Sequence, residues 1–248
     1  MNKSDVFSNF LDSFETSELK LYCKDMIEIS PDYIWEIPAS TSFKYHNATQ
    51  CQPGGQLYHI LMACEIMNYV LELEYVQNKY SKPKQRDCFR TAICLHDMIK
   101  CGHEGGQYTI HEHPVLAQKW IEQTKVKHDI NDKLKQYIGR LVASHSGQWT
   151  KSNKSSVILP TVENDEQFLI HLCDYLGSRA NLDMIYDDSI KNKITSFQSL
   201  PDINEYKLTF GKHSGKTLPE IQQEDSSYID WMKTQSLKYP VGELIKQL

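Results

Sequence analysis

Six histidine and aspartate side chains of this sequence are of the types that bind divalent metal ions. They are His59, His96, Asp97, His113, His145 and Asp174. The adjacent His96 and Asp97 follow an apolar run and offer one neutral nitrogen and one charged oxygen from a single turn of backbone, which suits Mn, Fe, Co, Ni or Zn. Asp174 lies in the apolar string HLCDYLGSR, where a carboxylate is costly to bury unless it is paired or bound to a cation. The set favours a metal centre, although each histidine alone is also typical of a hydrogen-bonded core.

Two predicted helices position the first part of this set. The turn PGG precedes a helix expected over 56–79, which places His59 on the buried face. The charged segment SKPKQRD is expected to be a linker, and the apolar helix after it leads into His96. The metal pair therefore lies at the C-terminal end of a helix.

Three more helices are predicted to carry the remaining ligands. One begins near Glu112, and another spans 130–146 with His145 at its far end. The third spans 163–180 and contains Asp174. Its core stripe is expected to be Phe168, Leu169, Leu172 and Leu176.

The composition narrows the class of protein. The 248 residues, 40% of them hydrophobic, suffice for one sizeable domain with or without a small appendage. A mean hydropathy of −0.53 argues against a membrane span, and a net charge of −5 gives no global positive field for nucleic acid. The N-terminus lacks a signal-peptide pattern, which predicts a cytoplasmic protein. The seven cysteines contain no CxxC pair, so reduced and mostly buried thiols are expected.

The order H…HD…H…H…D resembles the HD superfamily of metal-dependent phosphohydrolases, over about residues 33–181. HDMIK is similar to the family's HDxxK, and HEHPVLA to the extra histidine of its two-metal members. The segments PASTSFKYH and PGGQLYHI resemble the start of the domain in bacterial HD-type 3'-5' exoribonucleases. The resemblance implies an all-α helical bundle and a phosphoester hydrolase that uses one or two divalent ions, drawn from Mn, Fe, Co, Ni, Mg and Zn.

Carried over position by position, the resemblance assigns the six residues to two metal ions. The first ion is held by His59, His96, Asp97 and Asp174. Asp97 bridges to a second ion, which His113 and His145 hold. One-metal members of the family exist, and His111 is a rival for the role of His113. After His145 the chain lacks the signature of the family's cyclic-dinucleotide phosphodiesterases, so that substrate class is not favoured.

Asp97 and Lys100 are the expected catalytic residues. A bound metal lowers the pKa of water, which makes hydroxide available near neutral pH. The resemblance implies that Lys100 neutralises a phosphate of the substrate. A lysine at a helix end can also simply extend its ammonium group into solvent. Arg140 and Arg179 are weaker candidates for phosphate binding. His46, in KYHNA, matches a histidine of the related exonucleases and is a further substrate-binding candidate.

The last part of the chain changes character after a polar linker over 186–203. Residues 204–248 are predicted to form a small α+β module, in which YKLTF is a short strand, GKHSGKT a turn and the rest short helices. The turn is not an NTPase P-loop, because only three residues separate its glycines. FGKHSGKTLPEI and SYIDWM resemble the C-terminal module of exodeoxyribonuclease X. Lys212 and Lys216 could then contact a nucleic-acid backbone, or form a solvated turn, and Trp231 is expected in the core.

Three functions remain open on these grounds. One is a nuclease or phosphodiesterase whose substrate is single-stranded nucleic acid, held by the C-terminal module. The second is a phosphohydrolase of free (deoxy)nucleotides, which needs only the HD-like domain over 1–185. The third is a nucleotide-binding protein without turnover, which the presence of all six ligands disfavours. The combination of the two resemblances implies a bacterial or phage origin.

Overall fold

The computed structural model describes residues 2–40, 45–106, 108–182, 189–190, 194, 200–235, 237 and 240–248. The chain divides into two compact units, Met1–Thr195 and Ser196–Leu248. Most of the predicted linker over 186–203 lies outside the described residues, as do residues 41–44 of the segment PASTSFKYH. The domain boundaries drawn from the sequence therefore stay a prediction.

The first unit is built from helices. They are α1 (Ser8–Asp12), α2 (Ser17–Glu28), α3 (Gly55–Glu72), α4 (Glu74–Lys79), α5 (Pro83–Leu95), α6 (His113–Gln123), α7 (Asp132–Ala143) and α8 (Asp165–Gly177). Short 3-10 helices lie at Lys3–Phe7, Asp32–Trp35 and Thr49–Cys51. Across the described residues of both units, β-pairing is limited to two isolated bridges. The prediction of a mainly α-helical protein is confirmed.

Helix α5 is the centre of this unit. All residues from Asp87 to Leu95 are buried, because α2, α3, α7 and α8 pack around the helix. The carboxylate of Asp87 accepts a hydrogen bond from the backbone N–H of Glu15 at 3.0 Å and pairs with Arg90 at 2.8 Å. These partners satisfy a charge that would otherwise be too costly to bury. The start of α5 is thus anchored inside the protein.

The predicted PGG turn fixes the start of α3. Gly54 has φ of 70°, a left-handed conformation that glycine adopts without steric cost. A Cβ on Gly55 would lie 2.1 Å from the carbonyl oxygen of Gln50, so no larger residue fits. The first turn of α3 therefore has one position relative to the preceding loop.

Two helix boundaries differ from the prediction. The helix expected over 56–79 is interrupted at Leu73, whose ψ of 129° is extended, so α3 and α4 are separate. The prediction of a charged linker at SKPKQRD is wrong, because α5 already begins at Pro83. Proline is favourable there, since the first amide of a helix has no intrahelical partner.

The buried face of α8 differs from the predicted stripe, because Phe168 is 50% exposed. Helix α8 lies so close to α3 that a Cβ on Gly177 would be 3.3 Å from atoms of Ala63. This close approach decides which face of α8 turns inward. The buried residues of the helix are Gln167, Leu169, Ile170, Cys173 and Gly177.

All seven cysteines are free and buried, as predicted. They lie between Cys23 and Cys173, within the first unit. Among the described residues, no helix combines the length and apolar character that crossing a membrane requires.

The second unit contains α9 (Leu218–Glu224), α10 (Ser226–Lys233), α11 (Val241–Leu244) and a 3-10 helix at Ile245–Gln247. The strand expected at YKLTF is reduced to one antiparallel bridge between Lys207 and Thr217. The expected core position of Trp231 is wrong, because its side chain is 51% exposed and Ile229 and Met232 of α10 point inward instead. The unit has its own core, formed by Leu208, Leu218, Ile221, Ile229, Met232, Val241, Leu244 and Ile245.

Candidate metal centre

The ends of four helices and one helix interior converge on a single site. His96 and Asp97 follow α5 directly, and His59 faces them from the second turn of α3. His113 is the first residue of α6, and His145 comes two residues after the end of α7. Asp174 reaches the site from the last turn of α8. The structure thus brings together all six predicted ligands.

His59, His96 and Asp174 form the first of two ligand groups. The Nε2 atoms of His59 and His96 lie 3.3 Å apart. Oδ1 of Asp174 lies 3.0 Å from the former and 3.4 Å from the latter. Three ligand atoms therefore point at one small volume, as they do around a bound metal ion.

Asp97, His113 and His145 form the second group. Oδ1 of Asp97 lies 3.0 Å from Nε2 of His113 and 3.5 Å from Nε2 of His145. The other carboxylate oxygen of Asp97, Oδ2, lies 3.6 Å from Nε2 of His96, in the first group. Asp97 thus presents one oxygen to each group, which is the geometry of a bridging carboxylate.

Three of the histidines are fixed in one tautomer by the same local contact. Nδ1 of His96, His113 and His145 lies 2.6–2.8 Å from the backbone carbonyl oxygen three residues earlier in each case. A carbonyl oxygen only accepts, so Nδ1 must donate the proton, and a neutral ring keeps a lone pair on Nε2. Such contacts orient metal-ligating histidines in general.

The donor set fits a cation better than a hydrogen-bond network. With the proton of His113 on Nδ1, its Nε2 and Oδ1 of Asp97 are both acceptors, yet they lie 3.0 Å apart. Nε2 of His145 faces Nε2 of His113 at 3.0 Å in the same way. Oδ1 of Asp97 is buried without a hydrogen-bond partner among the described residues. A divalent ion would satisfy all of these atoms at once.

The electrostatics of the site favour the ionised, ligating form of its two carboxylates. Burial opposes the charge on Asp97, but Lys100, His96 and His113 outweigh it and hold the pKa of Asp97 well below its usual range. The pairing of Asp174 with His59 and His96 likewise outweighs burial and holds the pKa of Asp174 well below its usual range. Both carboxylates are therefore charged at neutral pH.

The histidines divide in their response to this environment. Burial lowers the pKa of His59 and of His113 despite their aspartate neighbours, which keeps both imidazoles neutral. Burial acts in the same direction on His96, but there Asp97 and Asp174 prevail and the pKa of His96 is raised. Within the first group, the aspartates thus favour positive charge at His96 but not at His59.

A cavity of about 530 Å³ opens beside the two groups, a volume in the range of small-molecule sites. Three predicted substrate-binding residues line it, namely His46, Lys100 and Arg179. Nζ of Lys100 lies 2.7 Å from Oδ2 of Asp97. The fourth candidate, Arg140, is exposed and does not line this cavity; it borders a small separate depression, so the structure does not bring it to the site.

Some residues at the site were missed by the sequence reasoning. Nε2 of Gln56 donates to Oδ2 of Asp97 at 3.0 Å, and Gln56 is fully buried. Its position one turn before His59 on α3 was a usable signal, because residues three apart share a helix face. Trp149 and Lys154 line the cavity from a loop, where no periodic pattern could reveal them.

The rival ligand His111 lies outside both groups. Its Nε2 is 3.2 Å from the carbonyl oxygen of Val157, and its side chain is not among the converging atoms. The structure therefore places His113, rather than His111, with the other ligands.

The two candidate nucleic-acid-binding lysines of the second unit are both paired. Nζ of Lys212 lies 2.8 Å from Asp225, and Lys216 pairs with Glu224. The side chain of Lys212 remains 69% exposed. Exposed ion pairs are weak, so the pairing does not prevent either lysine from meeting a phosphate.

Comparison with known protein families gives one match, in the second unit. Residues 208–236 match the family described as exodeoxyribonuclease X-like C-terminal. No curated protein and no solved structure matches the chain. The match supports the prediction of an exodeoxyribonuclease X-like C-terminal module, and the His/Asp groups of the first unit could bind a metal ion.

Proposed function

We propose that this chain is a metal-dependent phosphoester hydrolase of the HD superfamily, and that it acts as a nuclease or phosphodiesterase on single-stranded nucleic acid or oligonucleotides. The observation that carries the proposal is the sharing of Asp97 between two groups of three ligands. The exodeoxyribonuclease X-like module supports a nucleic-acid substrate. Divalent ions bound by the two groups supply Lewis acidity, which lowers the pKa of water and offsets phosphate charge.

The chain's own residues orient the reacting groups. Lys100 holds Oδ2 of Asp97 and has two further N–H donors that can point at a phosphate oxygen. Arg179 offers planar donors suited to the same anion from the wall of the cavity. In the reaction the oxygen of water bonds to phosphorus, the ester P–O bond breaks, and a proton passes to the leaving oxygen.

His46 contributes a neutral ring close to the first group. Burial lowers its pKa to about 3, and its ring centroid lies 5.1 Å from that of His59. Its Nδ1 donates to Oε1 of Gln50 at 2.7 Å, which leaves Nε2 as an acceptor. A neutral acceptor at this position can receive a hydrogen bond from a substrate hydroxyl without repelling the metal ions.

A phosphohydrolase of free (deoxy)nucleotides is the second candidate function. The net charge of −5 favours it, because an acidic protein gains nothing from long-range attraction of a polyanion. The third candidate, a binding protein without turnover, is disfavoured because all six ligands are present and converge.

Product analysis by mass spectrometry separates these three functions. The Mn-loaded protein is incubated with single-stranded oligonucleotides and free nucleotides, beside an Asp97→Ala variant and a His103→Ala variant. We expect shortened oligonucleotides and released mononucleotides with wild type and with His103→Ala, because His103 is exposed and lines no cavity at the site, and none with Asp97→Ala. Dephosphorylated nucleotides with intact oligonucleotides would favour the second function. The absence of turnover would leave the binding protein.

A further inference from the structure

Two neighbouring cavities of the first unit share a wall. The cavity beside the ligand groups has about 530 Å³, and a second cavity has about 470 Å³. The residues that line both are Thr109, His113, Ser146, Trp149 and Lys154. The metal site therefore continues into additional space.

Trp149 is a rigid aromatic surface at the shared wall. Its ring stacks on Tyr175 with centroids 5.8 Å apart and an angle of 12° between the planes. His171 packs against it edge-on at 5.9 Å. Although two neighbours hold the ring, 51% of Trp149 is exposed. A fixed and half-exposed indole is the kind of platform on which single-stranded nucleic acids stack a base.

Positive charge lies near this platform. The guanidinium of Arg179 sits 4.1 Å from the ring centroid of Tyr175, the residue on which Trp149 stacks. Lys154 is exposed at the shared wall, and its ammonium forms no ion pair with any residue that the structure describes. An available lysine beside an aromatic surface suits a phosphate that is linked to a stacked base.

We propose that a single strand of nucleic acid runs through both cavities, with one base stacked on Trp149 and the phosphate next to it on Lys154. The scissile phosphate then lies at the ligand groups in the first cavity. The inference rests on the proposed function and deepens it, because it names the residues that bind the strand beside the scissile phosphate. It gives roles to two residues that the metal chemistry does not use.

Tryptophan fluorescence tests the position of the base. Trp35 and Trp120 are buried, so in a Trp231→Phe background Trp149 is the exposed indole. We expect single-stranded oligonucleotides to quench this fluorescence at the moment of mixing, before product accumulates, and mononucleotides to quench it far less. No difference between oligonucleotides and mononucleotides would overturn the inference.

Affinity measurements test both residues with matched controls. Stacking energies predict that Trp149→Ala weakens oligonucleotide binding by about 5- to 100-fold, whereas Trp149→Phe keeps most of the affinity. Lys154→Ala should reduce the dependence of log affinity on log salt by about 0.7 for one phosphate contact. The controls are Tyr75→Ala, an aromatic residue 74% exposed, and Lys151→Ala; neither lines these cavities. Equal losses in variants and controls would refute the assignment.

Hydrolysis and binding assays together distinguish a failure of this binding path from a failure of the proposed function. Trp149→Ala should raise the KM for oligonucleotides, whereas Tyr75→Ala, which lines neither cavity, should leave the hydrolysis of oligonucleotides and of a small chromogenic phosphodiester unchanged. Quenching without any hydrolysis would sink the proposed function and keep the binding path. Oligonucleotide hydrolysis with an unchanged KM in Trp149→Ala would sink the binding path alone.

Discussion

Asp97 is the side chain on which the two ligand groups depend. Its two oxygens face different groups, while Lys100 and Gln56 hold Oδ2 at 2.7 and 3.0 Å. Asp174, in contrast, serves the first group alone. The two aspartates should therefore differ in how many metal ions their loss affects.

Metal analysis of the purified variants checks this difference. We expect wild type to bind two ions and Asp174→Ala to keep the ion at Asp97, His113 and His145. Asp97→Ala should lose at least about 100-fold in metal affinity at both groups, because even residues that only orient a ligand contribute about 10- to 100-fold. His111→Ala is the control and should bind as wild type does. An Asp97→Ala protein that retained both ions would disprove the bridging role.

Helices α3 and α5 determine where the side chains of the metal site can lie. Helix α3 is placed by the contact between Gly55 and the carbonyl of Gln50, and it carries both Gln56 and His59. Helix α5 is anchored at its start by Asp87 and by the N-terminal segment. Changes far from the metal ligands can therefore alter the site through these two helices.

Gly55→Ala tests the placement of α3. The new Cβ would lie 2.1 Å from backbone, which cannot yield as a flexible side chain can, so we expect a loss of about 1–3 kcal/mol in stability together with weaker metal binding. Gly106→Ala is the control, because its Cβ meets nothing closer than 3.8 Å and the effect should stay within about 0.5 kcal/mol. Denaturant unfolding and metal titration measure the two effects. Equal stability of the two variants would contradict the packing argument.

The attachment of the N-terminal segment to α5 should depend on pH. A hydrogen bond from Arg86, opposed by burial and reinforced by Arg90, lowers the pKa of Glu15 in the folded protein. The stabilisation is therefore complete above the unfolded pKa of about 4.3 and is lost as pH falls through the lower folded value. We expect Glu15→Gln to lower the Tm at neutral pH, with the difference from wild type vanishing in acid. Thermal melts over a pH series measure this, and a difference that persisted at low pH would contradict it.

The sequence predicted the helices and the six His and Asp side chains that converge, because both leave strong local signals. Ligand types in a fixed order need no knowledge of packing, and long apolar periodicity marks α3, α7 and α8. What could not be predicted depends on contacts between distant residues. The inward face of α8 follows from the approach of Gly177 to Ala63. The break at Leu73 is not marked by a proline or a glycine in the sequence. The short helix α10 has eight residues, and its four apolar or aromatic ones lie in two adjacent pairs, so periodicity could not tell Trp231 from Ile229.

At the scale of the whole molecule, each unit has a hydrophobic core of its own. The core of the second unit includes Leu218, Ile221 and Ile229, all contributed by residues after 196. A defect in this core should leave the metal centre of the first unit intact. If the proposed function holds, such a defect should lower the affinity for single-stranded oligonucleotides without lowering the rate of phosphodiester hydrolysis.

Ile229→Ala tests this separation. Removal of a fully buried isoleucine typically costs 2–5 kcal/mol, enough to unfold so small a unit. We expect metal binding and hydrolysis of a small phosphodiester to persist in the full-length variant, with weaker oligonucleotide binding. Trp231→Ala is the matched control for stability, because this side chain is 51% exposed and should cost little. Loss of metal binding in Ile229→Ala would show that the two cores are not independent.

Because all seven thiols are buried in the first unit, their reactivity reports when that unit opens. Every cysteine lies between positions 23 and 173, and the second unit has none. A thiol-specific reagent can react only when the helical unit opens, so the labelling rate measures the frequency of opening. Labelling of the apo and metal-loaded protein, followed by peptide mapping, would resolve which helices separate first and how far the cations slow them. No probe need be engineered for this measurement.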